Sequence, residues 1–402
     1  MIKLTLILSL FFISGKMRQL NQHLVGITMK STNSKSNGSN IFSNHTIGNI
    51  TLKNRLAVAP MTRVSANEDG TTGALMKDYY QSFAQGGFAL IITEGIYTDK
   101  HYSQGYKFQP GLTDEAQVES WKGITDAVHK SDGVIIAQLM HAGALSQYNK
   151  YIGHSAAPSA VKPLGKEMTF YYGYGDYSVP KTMTKEDIDN VIKGFVNAAK
   201  LAKRAGFDGV EIHGANGYLL DQFITVYTNK RTDEYGGELV NRLRIYKEII
   251  TSVREAVGQD FIIGIRFSQS KVNDSEYKWP EQSADAKYTF QSAKRFGVDY
   301  IHTTEFIAKE SAFEGSLSLA EFAKKYGDVH VIANGSVNSE DDAKLLIDSN
   351  QADIISLGKI ALANQNWPNV IKDKQNLQGF SFDMFNPIAD LKTAKEFLAK
   401  NG

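Results

Sequence analysis

The chain has 402 residues, 42% hydrophobic and 22% charged, with 44 Lys plus Arg against 43 Asp plus Glu and a formal net charge of +1. These are ordinary proportions for a soluble globular protein, without the basic excess of a duplex-binding surface. It has no cysteine, which excludes disulfides, thiolate nucleophiles, Cys-ligated zinc and Cys-ligated iron–sulfur clusters together.

A charged start at residues 1–3 and an apolar run at 4–13 outline a secretory signal. The run is too short to span a bilayer, and Ser14-Gly15-Lys16 offers no small-residue cleavage site. An upstream extension of a cytoplasmic chain that starts near Met17 or Met29 therefore competes with the signal reading. Residues 1–40 are set apart as a signal-like or disordered lead-in, and the Ser/Asn-rich stretch 31–43 belongs with it.

From residue 55 onward, short β-branched runs alternate with helical patterns. The strand candidates are 55–59, 88–94, 134–139, 209–213, 261–266, 298–303, 329–333 and 353–357. Each is separated from the next by enough chain for a helix, as parallel strands require. The clearest helix starts after Thr184, with Asp187 three residues on as in a capping box. Ile188, Val191, Ile192, Phe195, Ala198, Ala199 and Ala202 then share one face. Lys200, Lys203 and Arg204 suit the last turns, and Gly206 supplies the stop. Eight such units predict an α/β chain folded as a single-domain (β/α)8 TIM barrel over residues 41–370, with a helical tail at 371–402 packing on it. A doubly wound open sheet is the rival, but no G-x-G-x-x-G follows any strand. Two connections are long. Residues 142–183, after the third strand, carry the aromatic run from Phe170 to Tyr177 and form either a substrate wall or a hairpin packing its tyrosines on the rim. Residues 214–238 follow the fourth strand.

Barrel active sites form where strands end. Polar residues at those ends are Thr62, Glu94 with Gly95, Gln138, His213, Arg266, Asn334 with Gly335, and Gly358 with Lys359. Loops seven and eight, with a short helix at 360–364, match the recurrent barrel phosphate site. Gly358-Lys359 alone is also an ordinary turn; its pairing with Gly335 points to phosphate. The helix after strand seven is a poorer seat, because Glu340, Asp341 and Asp342 fill its first turn. Glu211 and His213 point the same way, but a metal needs a third ligand and His141 is the only neighbour in sequence, so no metal is expected. His213 and Asn216 suit a ligand oxygen, with Tyr218 as proton source; spacing alone fits a structural histidine as well.

The segments Asn54-Arg55-Leu56-Ala57-Val58-Ala59-Pro60-Met61-Thr62-Arg63, Gln138-Leu139-Met140-His141-Ala142-Gly143 and 206–237, the last including Glu211-Ile212-His213-Gly214-Ala215-Asn216-Gly217-Tyr218, resemble the Old Yellow Enzyme family of FMN-dependent oxidoreductases. The similarity runs from about residue 41 to 370. It implies non-covalent FMN at the C-terminal mouth of the barrel. By this resemblance Ala59, Pro60, Thr62, Gly95 and Gln138 surround the flavin ring, and Arg266 lies at its N1–C2 carbonyl edge. Asn334, Gly335, Gly358 and Lys359 hold the phosphate. His213 and Asn216 match the pair that grips a substrate carbonyl oxygen, and Tyr218 matches the proton donor. Lys359 stands where the family more often has Arg, Met140 where many members have Trp, and Thr62 where one branch has Cys.

The implied reaction is hydride transfer from NAD(P)H through FMN to the activated C=C bond of an α,β-unsaturated carbonyl compound. The expected partners are a small enone and the nicotinamide nucleotide, with no nucleic acid and no membrane, in a cytoplasmic monomer or homo-oligomer. A phosphate-binding barrel lyase or isomerase, and a flavin-binding protein without turnover, are the rival readings.

Overall fold

All eight apolar runs form parallel strands: β1 (Leu56–Val58), β2 (Leu90–Ile92), β3 (Val134–Met140), β4 (Gly209–His213), β5 (Ile262–Ser268), β6 (Tyr300–Thr304), β7 (His330–Asn334) and β8 (Ile354–Leu357). Each pairs with its successor, and Ile355, Ser356 and Leu357 of β8 pair with Leu56, Ala57 and Val58 of β1, which closes the barrel. This computed structural model describes residues 40–401; the lead-in at 1–39 lies outside them. The open-sheet alternative is thereby excluded. No helix among the described residues is long and apolar enough to cross a membrane.

The connections carry α1 (Ala74–Gln85), α2 (Glu115–Lys130), α3 (Lys185–Arg204), α4 (Arg244–Val257), α5 (Ser283–Phe296), α6 (Leu319–Gly327) and α7 (Glu340–Asp348). After β8 come a short turn of helix at Lys359–Ala363 and α8 (Trp367–Lys372). Sequence and local structure meet most directly in α3. The Thr184 side chain accepts from Asp187 N–H and the Asp187 side chain accepts from Thr184 N–H, satisfying two donors that the first turn leaves free. Such a cap is worth about 1 kcal/mol. Its buried stripe contains Ile188, Val191, Phe195, Ala198, Ala199 and Ala202.

Strand alternation splits the interior into two layers. Val210, Ile212, Ile301, Ile355 and Leu357 face outward into the core beneath the helices. Ala57, Leu90, Ile136, Ile262, Tyr300, Ile332 and Ile354 face inward with Ile47 and Leu52. The latter two come from a hairpin of strands His45–Ile47 and Ile50–Leu52. Higher in the barrel the inward positions turn polar. Glu211 Oε2 accepts from Tyr300 OH (3.0 Å) and bonds His302 Nδ1 (2.8 Å), Glu211 Oε1 accepts from Gln138 Nε2 (2.8 Å), and His302 Nε2 meets Ser356 Oγ (2.8 Å). Burial alone would raise the Glu211 carboxyl, but His302 and the Arg266 charge hold it down to about 2. The layer beneath the mouth is thus a closed hydrogen-bonded network built around the Glu211 carboxylate.

Two further segments shape the mouth. The loop after β3 divides its aromatics: Tyr177 is buried, Tyr174 is 92% exposed, and Phe170 and Tyr171 face a cleft at the C-terminal ends of the strands. Both expected roles, rim packing and cleft wall, are therefore filled by different residues of one run. The chain after α8 folds back through a 3-10 turn (Phe382–Phe385) and a final helix (Leu391–Asn401). Ala389 N–H donates to Phe170 O (2.9 Å), Leu391 N–H to Ser65 Oγ (2.9 Å), and Arg63 Nη2 to Asp390 O (3.0 Å), tying this tail to the loops after β1 and β3.

Candidate active site

The cleft has a volume of about 900 Å³, and all thirteen residues singled out for catalysis or cofactor binding line it. Convergence follows from the fold. Eight parallel strands present their C-terminal ends on one rim, so residues scattered from 59 to 359 in sequence become neighbours.

On the strand-end floor, Arg266 of β5 pairs in register with His213 of β4 and His302 of β6. Its guanidinium is buried; one nitrogen (Nη2) donates to Asn334 Oδ1 at 3.0 Å, while Nε is buried without a partner. Burial lowers the Arg266 pKa to about 10, with Glu211 opposing, so it stays cationic near neutrality. The Gln138 amide points one N–H at Glu211, which leaves its carbonyl oxygen free of that contact. The segment at Ala59-Pro60-Met61-Thr62 leaves β1 and is anchored by Glu94, whose Oε2 accepts from Arg63 N–H at 3.0 Å. Burial raises the Glu94 carboxyl to about 7 despite that bond and the Arg63 charge.

Asn334, Gly335, Gly358 and Lys359, from the ends of β7 and β8, line the same cleft. The Asn334 side chain is already committed: Oδ1 accepts from Arg266 and from Thr304 Oγ1 (2.8 Å), and Nδ2 donates to Ser356 O (2.9 Å). It therefore orients Arg266 and leaves only the main chain of this turn for an anion. Gly335 has φ +148°, and a Cβ there would stand 2.5 Å from Glu305 O and 2.7 Å from Ala308 N, so the turn requires glycine. The Lys359 ammonium joins none of the ion pairs of the described residues; it lies 5.7 Å from the Phe382 ring centroid. The helix expected at 360–364 spans Lys359–Ala363.

On the remaining wall, His213 ends β4 with its ring edge-to-face on Tyr218, centroids 5.0 Å apart. Ala215 N–H donates to His213 Nδ1 at 3.3 Å, which assigns the ring proton to Nε2. Burial, reinforced by Arg266, lowers the His213 pKa to about 3, so the ring is a neutral donor. Asn216 adopts φ +64°, and its Oδ1 is buried without a partner. The Tyr218 hydroxyl lies 2.5 Å from the Tyr106 hydroxyl, and burial holds it well above the ordinary tyrosine range. One wall thus carries a neutral imidazole N–H, a carboxamide and a protonated phenol. The metal alternative is not assembled: among the described residues the only group of three close enough to share an ion is His45, His330 and Asp353, at the opposite end of the barrel.

Several lining residues escaped the sequence reading. Tyr106, which supports the Tyr218 hydroxyl from behind the lining, lies in an irregular loop after β2 without any periodicity. Met168 and Thr169 come from the loop after β3, just before the aromatic run whose Phe170 and Tyr171 also line the cleft, and Phe382, Phe385, Asn386 and Pro387 come from the tail. Only the aromatic run at 170–177 carried a signal.

The model of the NADH:flavin oxidoreductase / NADH oxidase family matches residues 40–378. An NADH oxidase of Thermoanaerobacter brockii is 33% identical over 347 residues, 84% of this chain and 51% of that protein, so the chain spans about half of that relative's length. A probable flavin mononucleotide-dependent alkene reductase of Leishmania infantum is 32% identical over 79% of this chain and 86% of its own length. Among solved structures, an old yellow enzyme homologue from Zymomonas mobilis aligns with a TM-score of 0.77 at 31% identity, over 86% of this chain and 96% of that one.

Proposed function

The chain belongs to the NADH:flavin oxidoreductase / NADH oxidase family, alongside the old yellow enzymes, and from that premise we propose that it reduces the activated C=C bond of small α,β-unsaturated carbonyl compounds. It is an oxidoreductase of the FMN-dependent alkene reductase kind, with a nicotinamide nucleotide as reductant.

The residues present fit FMN. Arg266 Nε is a buried donor without a protein partner, placed where an anionic ring edge would complete it. The glycine turn at 335 and Lys359, which joins no ion pair of the described residues, suit a terminal phosphate in the same cleft. FMN held there would supply the hydride chemistry that links NAD(P)H to the substrate β-carbon. The protein supplies the rest. His213 Nε2–H and the Asn216 carboxamide hydrogen-bond the substrate oxygen and strengthen as enolate charge develops there. Tyr218 OH delivers the proton to the α-carbon. Arg266, held in place by Asn334, would offset negative charge on a flavin bound there.

The observation that carries this reading is that His213, Asn216 and Tyr218 line one cleft together with Arg266 and Lys359. The test is an anaerobic visible spectrum followed by addition of NADH or NADPH and then cyclohexenone. Bleaching by the nucleotide and recovery by the enone are expected. A colourless protein that takes up no FMN would favour a phosphate-binding lyase or isomerase, and bleaching without recovery would remove the enone assignment.

A further inference from the structure

Asn216 and Tyr218 reach the cleft through a turn of two successive left-handed residues, Asn216 at φ +64° and Gly217 at φ +87°. Asn and Gly tolerate that conformation better than other residues, and contacts from the surroundings decide whether the turn holds it. Each of its main-chain polar groups is engaged. Asn216 N–H donates to Ser268 Oγ (2.8 Å) and its carbonyl accepts from Val272 N–H (3.1 Å). Gly217 N–H donates to Asp221 Oδ2 (2.6 Å) and its carbonyl accepts from Gln222 Nε2 (2.7 Å). The restraints come from two sides: the short helix Leu219–Ile224 after β4, and the segment after β5.

One ion pair joins those two sides. Lys271 Nζ donates to Asp221 Oδ1 at 2.8 Å and Oδ2 at 3.0 Å, and the two side chains are 2% and 0% exposed. Lys271 also lies 4.2 Å from the Tyr277 ring centroid, and its main chain bridges to Asn216. Thr225 Oγ1 donates to Asp221 Oδ1 at 3.2 Å, so the carboxylate is fully coordinated. Desolvating two charges is costly, and an apolar pair of similar volume is often as stable or more so. Stability therefore does not account for this pair, whereas its geometry does: the carboxylate accepts the Gly217 amide with one oxygen while the ammonium, arriving from the other segment, fixes that carboxylate.

We infer that Asp221 and Lys271 are positioning residues whose buried ion pair sets the Asn216–Gly217 turn, and through it the aim of the Asn216 carboxamide and the Tyr218 hydroxyl into the cleft. The inference rests on the reading of Asn216 and Tyr218 as substrate-facing groups. It extends the site to two side chains that touch neither substrate nor cofactor.

The test compares the FMN-loaded enzyme with Lys271→Met, Asp221→Asn and the double variant Asp221→Asn/Lys271→Met. The dissociation constant of 4-chlorophenolate is read from the long-wavelength absorbance of the phenolate over the flavin, amide hydrogen exchange is followed over residues 214–223, and FMN content and Tm serve as controls. Each single variant should weaken the phenolate about tenfold, lower kcat/KM for cyclohexenone by about 10- to 100-fold as expected of a misaimed group, and accelerate exchange at Gly217, with FMN content unchanged. The double variant, free of any uncompensated charge, should recover Tm while its phenolate affinity stays as weak as in the singles. Recovery of both in the double, or wild-type affinity in the singles, overturns the inference. If a single variant fails to fold, the double variant decides alone. If the unaltered enzyme binds no phenolate and reduces no enone, the functional reading fails, and exchange at Gly217 still decides whether the pair holds the turn.

Discussion

Replacing Tyr218 by Phe removes one hydroxyl and keeps the ring that packs edge-to-face on His213. The hydroxyl is buried, and its 2.5 Å partner is the Tyr106 hydroxyl, so the substitution leaves Tyr106 OH without that bond. Stranding a buried hydroxyl costs about 1–3 kcal/mol of stability, a modest loss for a barrel of this size. The catalytic effect should be larger. A positioned general acid contributes about 10²–10⁴ in rate, equivalent to about 2.7–5.4 kcal/mol at 1.36 kcal/mol per tenfold. Burial holds the Tyr218 proton well above the ordinary range, with the Tyr106 bond opposing; the donor is therefore loaded from pH 6 to 9 and the loss should be flat across that window. The assay is NADH consumption, anaerobically with cyclohexenone and separately in air. Oxygen needs no proton at an α-carbon, so turnover in air should stay within a few-fold while enone turnover falls by 10²–10⁴. Enone turnover at the original rate would refute the assignment of Tyr218, and so would an equal loss with both acceptors, which marks a packing defect.

Lys359→Ala should raise the FMN dissociation constant about tenfold, the low end for a hydrogen bond to a charged group because the ammonium is exposed; fluorescence titration of the apoprotein measures it, and unchanged affinity would move the phosphate elsewhere. Gly335→Ala should lower FMN affinity and Tm together, since its Cβ would stand 2.5 Å from Glu305 O in a turn at φ +148°; a normal Tm would show that the loop yields. His213 binds no proton in the folded protein until about pH 3, whereas unfolded histidine binds one below about 6.5. Its contribution to stability is present above pH 6.5 and is lost as pH falls from there toward 3. The urea midpoint should therefore fall with acid less steeply in His213→Ala than in the unaltered protein, and parallel curves would contradict this.

Periodicity decides which face of an element is buried, and that much was determined by the sequence alone. Eight apolar runs at crossover spacing were enough for the barrel, and Thr184 with Asp187 for the start of α3, because strand alternation and capping are local rules. The strand-end residues from Ala59 to Lys359 were legible for the same reason: in a closed parallel barrel every strand ends on one rim. What the sequence left open depends on contacts between distant segments that carry no period. Tyr106 meets Tyr218 across 112 positions, and the tail at 382–387 becomes a wall of the cleft because Ala389, Leu391 and Arg63 tie it to loops at 170 and 65. That the Asn334 side chain is committed to three hydrogen bonds, one of them orienting Arg266, was not legible in sequence either. Nothing in the sequence sets Lys271 and Asp221, fifty positions apart, against one another. Barrel closure buries them face to face, because only there does each have a partner that offsets its desolvation.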